Sequence, residues 1–272
     1  MDKTQKRLFD NKYSRNTINA TLINRSWQTT PITVDIIKQV DLFYRLDLND
    51  ALILDIGCGG TPQCYIFAPD STSDIIGLDF SHAGLKVAQQ HAEQLAYPGT
   101  FTPVCGDALN LPFHNEIFDV VMCSMVLEHM ENPQRAIGEM ARVLKTNGQL
   151  FLATVNQNYV LRGIYKHIVF RSYDTFFGHT DERLLTMNQL KKWSEKHGLA
   201  IKEELYIYRF ESTIWDVFII PNLIKLGLAN NKIIYQILRI VRTLISKFAL
   251  IDKILKLFGN SACIALVAKK AP

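Results

Sequence analysis

Nowhere in this sequence do about 18 apolar residues run without interruption, the length a membrane-spanning helix needs. The amino terminus, Met-Asp-Lys-Thr-Gln-Lys-Arg, is polar and leads into no apolar core of a secretory signal. Cysteine is scarce and odd in number. Cys58, Cys64, Cys105, Cys123 and Cys263 fall mostly in or beside expected strands and show no metal-type spacing. They read as reduced core thiols of a cytosolic protein, with no metal site expected. Internal repeats and low-complexity segments are absent. Charge of one sign is also scarce: a net +4 over 272 residues gives no reason to expect a nucleic-acid partner.

What the sequence does have is apolar mass, 48% of residues, enough for one large domain or a domain with an added cap. Its organising stretch is residues 51–62, Ala-Leu-Ile-Leu-Asp-Ile-Gly-Cys-Gly-Gly-Thr-Pro. Ala51 to Leu54 show no alternation, as expected of a strand covered on both faces of a parallel sheet. Gly57, Gly59 and Gly60 then allow a sharp turn that something can approach closely. At the carboxyl end of a central strand, such a turn is where an open α/β sheet places a ligand.

Further strands are expected at Ile75–Asp79, Phe101–Cys105, Phe118–Cys123, Leu150–Val155, Ile201–Tyr208 and Ser261–Val267. Helices alternate with them: one capped by Thr33 and running through Arg45, and one capped by Ser81 with Leu85, Val87 and Ala88 inward. Another starts at Asn132-Pro133, ends near Leu144 and is stopped by Asn147-Gly148; the last runs Met187–His197 and is stopped by Gly198. This rhythm predicts a doubly wound parallel sheet. Residues 1–32 read as an amino-terminal arm or lid, and 33–272 as the main domain. Two insertions interrupt that domain, at about 157–185, aromatic and basic, and at 213–258.

A dinucleotide turn would read G-x-G-x-x-G, but Pro62 stands where the third glycine belongs, which disfavours a dehydrogenase. Asp55, just before the glycines, suits a ligand with an ammonium group. Asp79 ends the second strand, placed to accept from both hydroxyls of a ribose. Asp107 ends the third, able to accept from an adenine amine while the backbone at Ala108 reads a ring nitrogen. Phe80 and Leu109 stand beside these acids as packing side chains for the adenine.

Three acids at successive strand ends resemble the site of the Rossmann-like, S-adenosylmethionine-dependent methyltransferases. The resemblance continues in Gly106-Asp107-Ala108-Leu109-Asn110-Leu111-Pro112-Phe113, Phe118-Asp119-Val120-Val121, Val126-Leu127-Glu128-His129 and Arg142-Val143-Leu144-Lys145 leading to Gly148. It covers about residues 50–156 and is most similar to the branch that includes the ubiquinone and menaquinone methyltransferases. It implies S-adenosylmethionine as cofactor and a seven-stranded sheet ordered 3-2-1-4-5-7-6, with the seventh strand antiparallel. Thr61-Pro62, where many members keep another glycine, is the departure.

The acceptor side is read from the additions. His129, past the fourth strand, and His179, in the aromatic insertion, are the candidate catalytic bases; Glu128 reads as a cofactor-contacting or loop-orienting group, and Tyr13 in the arm as a residue that closes over the cofactor. From Lys232 on, Ile233, Ile234, Ile237, Leu238, Val241, Leu244, Ile245 and Phe248 recur at helical spacing opposite Lys232, Gln236, Arg239 and Arg242. That pattern suits an interfacial membrane anchor, a homodimer contact or a cap over the site. The expected enzyme methylates a hydrophobic small molecule, on oxygen or nitrogen, in the cytoplasm or at a membrane periphery. Carbon methylation and a non-catalytic cofactor-binding accessory protein are the alternatives.

Overall fold

A computed structural model of the chain describes residues 46, 48, 50–60, 72–158, 184–207 and 263–272. The arm at 1–32 with Tyr13, the helix expected from Thr33, Thr61-Pro62 and Cys64 lie outside those residues. So do His179, the 213–258 segment and nearly all of the 157–185 insertion. Within the described residues seven strands form one sheet in the order β3-β2-β1-β4-β5-β7-β6. They are β1 (Leu52–Ile56), β2 (Asp74–Asp79), β3 (Phe101–Cys105), β4 (Phe118–Ser124), β5 (Leu144–Val155), β6 (Leu199–Ile207) and β7 (Cys263–Lys270). The first five run parallel, while β7 lies antiparallel to both β5 and β6, as the resemblance implies.

β1 sits in the middle because its side chains have no polar face to offer solvent. It pairs with β2 on one edge and β4 on the other, and its successive residues supply two different cores. Leu54 and Ile56 join a cluster with Val121, Leu127, Ile137, Met140 and Leu190. Ile53 joins Ile75, Val120, Met122, Phe151 and Ala265 on the opposite face. A strand buried on both faces in this way loses its alternation of polar and apolar residues. At the outer edge β3 carries Pro103, which pairs opposite Gly77; an edge strand tolerates the missing N–H.

The helices start and stop where their ends have partners. Ser81 caps α1 (His82–Leu95) by accepting from the Gly84 N–H at 3.1 Å, and Leu85 and Ala88 are buried beneath it. Asn132 caps α2 (Pro133–Val143) through Oδ1, which accepts from Arg135 N–H at 3.0 Å, with Pro133 in the first turn where its missing N–H costs nothing. Thr186 and Gln189 form a reciprocal capping box at the start of α3 (Met187–Lys196). Gly198, at φ +75°, ends it.

The helix ends near Leu144 as expected, but its expected stop signal is wrong. Asn147-Gly148 does not stop a helix. α2 ends at Val143 and β5 begins at once, so Asn147, at φ +64°, lies inside the strand. The β4–β5 register jumps from Phe118↔Leu144 to Val120↔Gln149, so residues 145–148 form a bulge that takes up the extra chain. Asparagine tolerates the left-handed conformation this requires. Among the described residues no helix is long and apolar enough to cross a membrane.

α2 and α3 pack closely because α2 has a glycine at their crossing. His197, just past α3, lays its ring against Gly138, where a Cβ would stand 2.8 Å from the imidazole. Burial, and then the neighbouring Lys196, hold the His197 pKa below its ordinary 6.5. The neutral ring is therefore favoured in the folded state. Its contribution is complete above pH 6.5 and declines as pH falls through that value, because the unfolded chain binds the proton more readily. Chemical denaturation at about pH 7.5 and about pH 5 should show a smaller acid loss of stability in His197→Gln than in wild type. Equal losses would remove His197 from the acid response.

Candidate functional site

The carboxyl ends of β1, β2, β3 and β4 lie side by side, and Asp55, Gly57, Gly59, Asp79, Phe80, Asp107, Ala108 and His129 sit at or just past them. Asp55 is the penultimate residue of β1 and is 1% exposed. The chain then turns through Gly57 at φ +70° and Gly59 at φ +54°. Both values lie in the left-handed region that glycine enters without strain. Gly57 also needs its missing side chain, since a Cβ would stand 2.3 Å from Val126 Cγ2, just past β4.

The turn is fastened to β2. Gly57 N–H donates to the Leu78 carbonyl at 2.7 Å, and Cys58 N–H to the same oxygen at 3.3 Å. Asp79, nearly buried at 6% exposure, accepts from Gly59 N–H through Oδ2 at 2.9 Å and from Ser81 N–H through Oδ1 at 2.8 Å. Its backbone carbonyl accepts from Gly106 N–H at 3.1 Å, which joins the end of β2 to the end of β3. On the opposite side, His91 of α1, itself buried, stands with Nδ1 2.7 Å from the Gly60 carbonyl. The sequence reading missed His91, because nothing in a lone histidine on a helix reveals what it faces.

Asp55 and Asp79 flank Cys58 closely enough to act on its thiol. Burial, then Asp55, then Asp79 push the Cys58 pKa well up, so it remains a neutral thiol. Cys123 and Cys263 are buried as expected, whereas Cys105 is exposed, with Sγ 3.6 Å from the Phe80 carbonyl. Two buried acids at neighbouring strand ends favour a ligand that carries positive charge.

Beyond β3, Asp107 is exposed and closes its own turn: Oδ1 accepts from Leu109 N–H at 2.9 Å, and its carbonyl accepts from Asn110 N–H at 3.0 Å. Ala108 is buried behind it, while Phe80 and Leu109 are half-buried nearby. The loop that follows is fixed by α2. Arg142 donates to the carbonyls of Leu111 and Phe113 at 3.0 and 2.8 Å and to Asn115 Oδ1 at 2.9 Å. Glu139 accepts from Arg142 through both oxygens, at 2.9 and 2.7 Å, and from Leu111 N–H at 2.9 Å. The bond from Arg142 holds the Glu139 carboxyl below its ordinary pKa, and the bond to Glu139 raises that of Arg142. Arg142 belongs to a motif noticed in the sequence, but its reach back to residue 111 does not show there.

After β4, Met125 takes φ +57° and is 40% exposed, with its N–H bonded to the Ala153 carbonyl at 2.8 Å. A single 3-10 turn, Leu127–His129, follows. Glu128 is fully buried and accepts from Thr154 Oγ1 at 2.7 Å, which ties the turn to β5. His129, half-buried, lies at the end of this anchored turn.

Residues 54–152 match the family model described as "Methyltransferase domain". The chain is 30% identical over 164 residues to a ubiquinone biosynthesis O-methyltransferase of Pseudomonas entomophila, a match covering 58% of this chain and 68% of that protein. The solved structure of a [4+2]-cyclase, SpnF, is 22% identical, with a TM-score of 0.60 over 86% of this chain and 80% of its own. A phosphoethanolamine N-methyltransferase 2 of Haemonchus contortus, solved with S-adenosyl-L-methionine, is 17% identical. It has a TM-score of 0.57 over 86% of this chain and 52% of its own.

The contacts of Gly57 make a quantitative expectation. Gly57→Ala combines left-handed strain of about 1–2 kcal/mol with overpacking of about 1–3 kcal/mol, so urea denaturation should show a loss of roughly 2–5 kcal/mol. Gly198→Ala is the control: it shares the positive φ but has nothing within 4 Å of its Cβ, so it should lose only the strain, about 1–2 kcal/mol. Equal losses would show that contact with Val126 does not matter.

Proposed function

We propose, for a chain that belongs to the Rossmann-like S-adenosylmethionine-dependent methyltransferases, that it methylates a hydroxyl oxygen on an apolar, lipid-like small molecule. Its cofactor is S-adenosylmethionine, and the strand-end residues fit that molecule. The Asp79 carboxylate, at the end of β2 and tied to the glycine turn through Gly59 N–H, suits the ribose hydroxyls. Asp55, buried beside the glycine turn, suits the cofactor's ammonium group. Asp107 and the backbone at Ala108 suit the adenine edge, with Phe80 beside the ring. Two buried acids also suit a ligand that carries a sulfonium as well as an ammonium.

When bound, S-adenosylmethionine supplies an electrophilic methyl group on a sulfonium that departs as a neutral thioether. The observation that carries the oxygen acceptor is the turn bearing His129. Glu128 and Thr154 anchor it to β5, and it lies at the end of β4, beside the strand ends that fit the cofactor. A half-buried imidazole there can take the hydroxyl proton while the oxygen forms its bond to carbon. His179 is the second candidate for that step. Beyond the base, the protein has to align acceptor and donor and keep the site dry. The aromatic insertion at 157–185, the apolar residues of 213–258 and the arm with Tyr13 are the parts of the chain suited to cover it. The relatives' printed reaction, O-methylation in ubiquinone biosynthesis, supports the same acceptor class.

Two measurements test this. In Asp79→Asn the amide keeps one acceptor oxygen but loses the charge, so calorimetry should show S-adenosylhomocysteine binding weakened by about 1.5–3 kcal/mol, the scale of charged hydrogen bonds. Unchanged affinity would take Asp79 out of the cofactor site. Separately, the purified chain with methyl-labelled S-adenosylmethionine should place label on the oxygen of hydrophobic phenols, and His129→Gln should slow that transfer roughly a hundredfold. Label found only on nitrogen or carbon would overturn the oxygen assignment. Cofactor binding with no transfer to any acceptor class would favour the accessory protein.

A further inference from the structure

We propose that His91 is a positioning residue for the cofactor, its Nδ1–H fixing the Gly60 carbonyl so that the far end of the glycine turn holds its binding shape. This rests on S-adenosylmethionine being bound at that turn. A carbonyl oxygen can only accept, so the 2.7 Å contact requires the hydrogen on Nδ1 of His91. The tautomer is thereby assigned by its partner.

Among the described residues, the backbone hydrogen bonds that fasten the turn to the sheet come from one side. Gly57 and Cys58 N–H are bonded to Leu78, and Gly59 N–H to Asp79; both acceptors lie at the end of β2. None of those bonds reaches the Gly60 carbonyl. His91 reaches that peptide from α1, a helix whose first turn is itself fixed to Asp79 through Ser81. The turn is therefore held from β2 and from α1, the helix whose cap residue Ser81 also donates to Asp79. At 5% exposure the imidazole has little room to rotate away.

The test separates the hydrogen bond from the volume of the ring. Asn places an amide N–H near the position of Nδ1, Gln places one farther out, near Nε2, and Leu fills the space without a donor. Calorimetry with S-adenosylhomocysteine, well below the melting temperature of each variant, should show His91→Asn within about threefold of wild type. His91→Gln and His91→Leu should bind roughly five- to tenfold more weakly, with the cofactor KM raised and kcat little changed. A merely structural role would lower the melting temperature of all three and leave the affinity of the folded protein alone. The proposal is overturned if His91→Leu binds as tightly as wild type, or if His91→Asn is as weak as His91→Leu. Should the leucine variant fail to fold, equal affinities of the Asn and Gln variants overturn it equally. Failure of wild type itself to bind S-adenosylhomocysteine is a separate result, and would remove the cofactor premise instead.

Discussion

Both oxygens of the Asp79 carboxylate accept from backbone N–H groups, one of the glycine turn after β1 and one of the residue that caps α1. Each of those groups would otherwise be a buried donor in search of a partner. The acid therefore joins three elements, β1's turn, β2 and α1, at the point where the sheet opens. The acid thus holds in place the turn and the helix start on either side of it.

What could be read from the sequence was what is decided within a few residues. Ser81, Asn132-Pro133, Thr186 and Gly198 each act on their own helix, so their meaning is local, and the structure places each at the expected end. The run Leu52–Ile56 announced a central strand because its neighbours on both sides are apolar layers. Asn147-Gly148 misled because it looks the same at a helix stop and at a strand bulge. Which of the two it becomes depends on β4 pairing alongside, and that partner is some 30 residues away.

The site divides in the same way. Asp55, Asp79 and Asp107 were legible as acids closing three strands, and they do end neighbouring strands. The groups that hold the loops in place were not. Arg142 and Glu139 act on a loop 28 to 31 residues earlier, His91 on a glycine 31 residues earlier, and Thr154 on Glu128 across two strands. None of these side chains forms a motif with its target, since the distance between them is set by the packing of helices on the sheet. The order of the last two strands likewise came only from resemblance, because alternation of polar and apolar residues does not say which edge a strand joins.

That order matters to how the molecule is made. β7 lies between β5 and β6, with Gln149 paired to Lys269 and Leu199 to Lys270. Lys270 also bonds the Leu144 carbonyl at 2.7 Å and Glu116 at 3.1 Å. During synthesis from the amino terminus, the five parallel strands emerge first and β6 next, yet β6 has no strand to pair with until residues 263–270 have left the ribosome. Until then β5 presents an open, apolar edge, the kind of surface that invites pairing with another chain. Closing the sheet joins segments about 120 residues apart, a slow class of contact to form. The nascent protein thus passes through a stage in which the half of the sheet that carries the glycine turn is assembled while the other half waits on its final strand.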